Sequence, residues 1–90
     1  MVVREQMIPT RSRAAALLDQ YVGTKLKQVR TERGVEIWQL AQKLGIRIDV
    51  LVDYEGGRTR ISPRTLAEFA RVFGIQTRYF FDGYLANRTW

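Results

Sequence analysis

The stretch Leu40-Ala41-Gln42-Lys43-Leu44-Gly45-Ile46-Arg47-Ile48-Asp49-Val50-Leu51-Val52-Asp53-Tyr54-Glu55-Gly56-Gly57 decides the fold. Ile37, Leu40, Ala41 and Leu44 recur at i, i+3, i+4 and i+7, one face of a helix of about two turns. Gly45 follows as a left-handed stop. Leu51 and Tyr54 then mark a second short helix that ends at Gly56-Gly57. Ala41 lets the two helices approach closely, Gly45 takes the positive-φ corner, and Leu44, Ile46 and Leu51 seal the angle between them. One competing pattern runs through the same residues. Ile46, Ile48, Val50 and Val52 alternate as a half-buried strand would, but the short length and the helical neighbours favour helix.

Outward from this unit the helical period continues. Val22, Leu26 and Val29 lie on one face of a helix ending near Arg33, with Gly34 as its stop. Ser62-Pro63 reads as an N-cap followed by proline at the first helical position, and Leu66, Phe69, Ala70 and Phe73 supply the apolar face up to Gly74. A last turn starts at Thr77 and carries Tyr79, Phe80 and Phe81. Residues 10–21 form either a further helix, capped by Thr10 with Ala14, Leu17, Leu18 and Tyr21 on one side, or a frayed arm. The expected organisation is a basic N-terminal extension over 1–20, a helical domain over 21–83 and a tail over 84–90 carrying Tyr84 and Trp90. The expected fold is all-α, a compact bundle of about five short helices around a helix-turn-helix.

Composition limits what such a bundle does. Ninety residues and 10.5 kDa make one small domain. Histidine and cysteine are both absent, which excludes thiolate and imidazole nucleophiles, Cys/His metal sites, disulfides and imidazole pH switching. Ser12 and Ser62 are the only serines, and no glycine-rich phosphate loop occurs. The expectation is a protein that binds rather than catalyses, with no cofactor and no metal. The longest apolar run, Ala14 to Leu18, is too short for a membrane span, and charges at Arg4, Glu5, Arg11 and Arg13 argue against a signal peptide. Cytoplasmic localisation is expected.

The chain resembles the phage repressor/Cro (XRE-like) helix-turn-helix domains over roughly residues 21–83. The resemblance rests on Gly23, Leu26 and Arg30, then Gly34-Val35, Leu40-Ala41, Leu44-Gly45-Ile46, Leu51, Tyr54-Glu55 and Gly57. It continues through Ile61, Leu66, Ala70, Phe73-Gly74-Ile75 and Tyr79-Phe80-Phe81. It implies a lambda-repressor-like domain, a homodimer that regulates transcription from double-stranded operator DNA. It also implies that residues 47–54 form the recognition helix, with Arg47, Ile48, Asp49, Val50, Val52 and Asp53 at base-reading positions. The turn holding Gly56, Gly57, Arg58, Thr59 and Arg60 would meet phosphates. Arg30 and Glu55 occupy the positions of a structural ion pair.

In several places the chain departs from that family. Its recognition helix carries Asp49 and Asp53 among Ile48, Val50 and Val52, where polar readers are usual. Glu36 replaces the usual Ser or Thr at the start of the preceding helix, and Ile37 stands where a glutamine often touches phosphate. The net charge of +6 lies outside the unit: residues 34–57 hold two basic and four acidic groups, while 1–33 and 58–90 each carry a surplus of four positive charges. Two readings follow. In one, flanking arginines neutralise phosphates, Asp49 or Asp53 accepts from a cytosine amino group, and Val50 or Ile48 meets a thymine methyl. In the other, the recognition helix has become an apolar face with acidic edges that binds a protein partner, and base readout is lost. Arg4, Arg11 and Arg13 are either a phosphate-tracking or minor-groove arm or a solvated tail.

Overall fold

The computed structural model describes residues 11–84, so Arg4, Thr10 and Trp90 lie outside the described residues. Among the described residues four α-helices follow one another: α1 (Arg13–Glu32), α2 (Ile37–Leu44), α3 (Ile48–Glu55) and α4 (Pro63–Phe73). A 3-10 helix, Thr77–Phe81, follows α4. Among the described residues there is no strand, and no helix is long and apolar enough to cross a membrane. The alternation of Ile46, Ile48, Val50 and Val52 therefore does not make a strand. In the helix, Leu51 is wholly buried while Ile48 and Val52, four residues apart, share the outer face.

The turns follow local chemistry. Gly34, Gly45 and Gly74 hold φ of 67–68°, ending α1, α2 and α4 in the left-handed region that other residues avoid. At the α2–α3 corner the Ile46 amide donates to the Ala41 carbonyl at 3.0 Å, closing the wrap that turns the chain. Ser62 Oγ accepts from the Thr65 amide at 3.1 Å with Pro63 opening α4. Arg33, just past α1, donates to the Phe73 carbonyl at 2.6 Å and so satisfies the end of α4.

The N-terminal segment differs from expectation. Among the described residues there is no separate helix before residue 21 and no break near residue 20. A single α1 starts on Ser12, whose Oγ accepts from the Ala15 amide at 3.0 Å, and runs about 30 Å to Glu32. The boundary expected between residues 20 and 21 falls inside it. Nothing between Ser12 and Val22 breaks a helix, and Gly23 is present for a packing reason. A Cβ there would sit 2.8 Å from the Glu55 carbonyl oxygen and closer still to that of Tyr54. The glycine lets α1 lie directly against the end of α3.

The core is built from Leu26, Leu40, Leu51, Phe69 and Phe80, one or more from each helix and the 3-10 turn. Val22, Val29, Ala41, Ile61, Leu66, Ala70 and Phe73 complete it, and Tyr54 packs edge-on against Phe69 with ring centroids 6.2 Å apart. Tyr84, expected in the tail, lies against Tyr21 at 5.1 Å between ring centroids, and the Tyr21 hydroxyl donates to the Asp82 carbonyl. The end of the domain is thereby tied to the middle of α1.

Gly23→Ala tests the α1–α3 contact. Alanine gains about 1 kcal/mol of helix propensity, but the obstacle is backbone and does not rotate away, so overpacking prevails. The expected result is a net loss of about 1–2 kcal/mol in unfolding free energy, read as a lower denaturant midpoint. An unchanged or higher midpoint shows that α3 is free to move off α1.

Candidate nucleic-acid interface

Presentation of α3 depends on one buried ion pair. Arg30 of α1 donates Nε to Glu55 Oε2 at 2.6 Å and Nη2 to Oε1 at 3.1 Å, a two-pronged pair with both side chains nearly out of solvent. Arg30 Nη1 also donates to the Val35 carbonyl at 2.8 Å. One guanidinium thus joins α1, the end of α3 and the turn leading into α2. Its pKa is raised above the ordinary arginine value, chiefly by the hydrogen bond to Glu55, with Glu36 adding to the effect.

With Leu51 and Glu55 held inward, the rest of α3 faces out. Ile48 is 49% exposed and Val52 39% exposed. Arg47 and Asp49 are also open to solvent, whereas Val50 is only half-exposed. Of the two residues expected at a thymine methyl, Ile48 is thus the better presented, with Val52 beside it on the same face.

Asp49 and Asp53 are not free carboxylates. Arg47 grips Asp49 through Nε and Nη2 at 3.0 and 2.8 Å. Asp49 Oδ1 also accepts from the Val50 amide at 2.9 Å. Its pKa is lowered, first by the Arg47 hydrogen bond. Arg58 Nε donates to Asp53 Oδ1 at 2.9 Å, so an arginine assigned to phosphate is folded back onto α3. The negative balance counted along residues 34–57 is therefore largely cancelled in space: Asp49, Asp53 and Glu55 each have an arginine. Two of those arginines, Arg30 and Arg58, come from outside the segment. Among the described residues Glu36 has no ion-pair partner, and its amide is capped by Gln39 Oε1 at 2.8 Å.

The turn after α3 is also anchored. Gly57, at φ 71°, is pressed so closely on α1 that a Cβ would lie 2.5 Å from the Gln20 Cα. Thr59 is exposed. Arg60 donates Nε to Asp19 Oδ1 at 2.9 Å, and Arg11 Nη1 donates to Asp19 Oδ2 at 2.8 Å and to the Gly57 carbonyl at 2.8 Å. Asp19 is buried, and residue-by-residue reading passed over it. Its signal was an acid at the spacing of Val22, Leu26 and Val29, on the apolar face of α1. Trp38 was passed over as well, yet it is 53% exposed on α2. Among the described residues no cluster of acidic side chains could hold a metal ion.

Comparison with known proteins agrees with this geometry. The family model described as "Helix-turn-helix domain" matches residues 22–78. An uncharacterized transcriptional regulator in the ATPase CF(0) region of Rhodospirillum rubrum is 33% identical over 65 residues, covering 72% of this chain and 60% of the relative. Multiprotein-bridging factor 1 of Debaryomyces hansenii is 30% identical over 74 residues, covering 82% of this chain and 46% of that protein. The chain thus spans only about half the length of these relatives. In fold it is similar to the clp gene regulator ClgR from C. glutamicum, with a TM-score of 0.71 at 22% identity over 80% of this chain and 94% of that one. The BldD DNA-binding domain from S. venezulae superposes with a TM-score of 0.63 at 26% identity, over 71% and 96% of the two chains.

Two measurements check the site. In an NMR titration Asp49 should stay ionised below the ordinary aspartate range and return to it in Arg47→Ala; an unchanged midpoint in that variant removes Arg47 as the cause. Glu55→Gln leaves Arg30 buried without its counter-charge, with an expected loss of about 3–5 kcal/mol in unfolding free energy. A loss within about 0.5 kcal/mol, as at ordinary surface positions, contradicts the tie between α1 and α3.

Proposed function

The chain belongs to the helix-turn-helix domain family, and from that premise we propose that it is a sequence-specific DNA-binding transcriptional regulator of the XRE-like, phage repressor/Cro kind. The observation that carries the reading is the outward presentation of α3, with Arg47, Ile48, Asp49 and Val52 exposed on a helix clamped from behind by Arg30–Glu55. In this reading α3 enters the major groove, N-terminal residues first. Ile48 and Val52 meet thymine methyl groups, and Arg47 with Asp49 offers a paired donor and acceptor to base edges. Arg58, Thr59 and Arg60 lie along phosphates. The chain acts in the cytoplasm as a homodimer, which sets two α3 helices about 34 Å apart on one face of the duplex. It is a binding protein and not an enzyme.

The internal arginine pairs support DNA over loss of readout. Two bare aspartates near a phosphate backbone repel it, whereas Asp49 and Asp53, each paired with an arginine, present little net charge. Arg58 is itself exposed and has donors left to meet a phosphate while it keeps Asp53. Glu36 is the exception. It stands unpaired among the described residues at the start of α2, and it weakens any phosphate contact there.

A second reading keeps the domain but gives α3 a protein partner. Its support is the exposure of Trp38, Ile48 and Val52, together with relatives named multiprotein-bridging factors. An adaptor of this kind binds duplex weakly and without sequence preference.

Binding to the duplex upstream of its own gene and to random duplex, across a salt series, separates the two. A regulator prefers a site there, with log affinity falling linearly in log salt. Replacing contacted thymines by uracil should then weaken binding about fivefold or more, as expected for base-edge contacts worth about 1 kcal/mol or more. Weak, sequence-blind binding favours the adaptor. Glu36→Ser should tighten binding in the first case and leave partner capture unchanged in the second.

A further inference from the structure

We propose that Arg11 and Arg60, held side by side on Asp19, form a phosphate clasp for the DNA backbone, one that reaches past the residues matched by the family model. The inference rests on the DNA reading and adds to it a site in the N-terminal segment. Arg11 and Asp19 both precede residue 22, where the family match begins. Arg11 was expected either in a phosphate-tracking or minor-groove arm or in a solvated tail, and Asp19 was not singled out.

The geometry is that of a preorganised anion site. Both oxygens of one carboxylate are taken, Oδ2 by Arg11 at 2.8 Å and Oδ1 by Arg60 at 2.9 Å. The Asp19 side chain is 5% exposed, while those of Arg11 and Arg60 are 37% and 53% exposed. The carboxylate therefore sits beneath two guanidiniums that face solvent. Two cations on one anion leave a net charge of +1 at a fixed point. Each arginine has five donors in a rigid fork. Arg60 uses only Nε, and Arg11 only Nη1, in bonds among the described residues. The Arg11 guanidinium touches the Gly57 carbonyl, in the turn that also carries Arg58 and Thr59.

Asp19 is a positioning residue and makes no contact with the ligand itself. It overcomes the repulsion that would separate two arginines and fixes their forks before a phosphate arrives, so less side-chain entropy is lost on binding. The Gly57 carbonyl fixes Arg11 a second time and sets the clasp against the turn. The burial of Gly57 against Gln20 keeps turn and helix in register. Arg13, two residues further on, is exposed and makes no such bonds among the described residues.

The test uses the full chain with a random-sequence duplex of about 30 base pairs and with the duplex upstream of its own gene, across a salt series, and thermal midpoints are recorded for every variant. Arg11→Gln and Arg60→Gln should each reduce the slope of log affinity against log salt by about 0.9, one phosphate lost, on both duplexes alike. Affinity near 100 mM salt should fall about three- to tenfold, and the double variant should lose little more than either single one. Arg13→Gln should change the slope by much less. Asp19→Asn, read well below its midpoint, should weaken binding even though it adds a positive charge. The proposal is overturned if Arg11→Gln lowers the thermal midpoint with an unchanged slope, since Arg11 is then only a brace. It is overturned equally if Arg13→Gln costs as much as Arg11→Gln, or if Asp19→Asn binds more tightly. If the unaltered chain binds neither duplex at low salt, the DNA reading falls and the clasp with it.

Discussion

The bidentate contact between Arg30 and Glu55 is the constraint on which the rest of the molecule turns. Glu55 is the last residue of α3, and Arg30 stands in the last turn of α1, so the pair fixes the angle at which α3 leaves the body. A buried ion pair is a weak source of net stability, because desolvation opposes the attraction. Its worth here lies in geometry. Once Arg30 is buried it must meet Glu55 and the Val35 carbonyl, which fixes α3 and the α1–α2 turn relative to each other. Gly23 completes the constraint by letting α1 touch the α3 backbone. Leu51 then points inward, and Ile48 and Val52 are left outside.

Much of this was legible in the sequence because it is local. Gly34, Gly45 and Gly74 mark helix ends through backbone chemistry that needs no tertiary context, and Ser62-Pro63 marks a start in the same way. The period of Leu40, Ala41 and Leu44 and the spacing to Leu51 were enough to place the corner. The unity of α1 was less visible, since residues 10–21 read equally as a further helix or a frayed arm and the resemblance began only near residue 21. Only the closeness of the Tyr54 and Glu55 carbonyls explains a glycine in mid-helix.

The electrostatics of the interface were the least legible part. Counting charges along residues 34–57 suggested an acidic reading helix, because such a count cannot see partners contributed from elsewhere. Arg58 folding onto Asp53, and Arg30 reaching Glu55 from 25 residues away, are tertiary facts. Arg60 meets Asp19 across 41 residues. Net charge per segment describes the long-range field, whereas a groove is sensed at contact distance, where pairing decides. The surface that α3 offers is apolar at its tips, with paired charges around it.

The central claim, that α3 and the turn after it form a nucleic-acid surface, is tested most directly by amide chemical-shift mapping of the labelled chain during titration with duplex DNA. Shifts are expected to concentrate at residues 47–53 and 57–60, with α4 and the 3-10 helix little changed. Shifts centred on α4, or none at α3 under conditions where the duplex is bound, would contradict it.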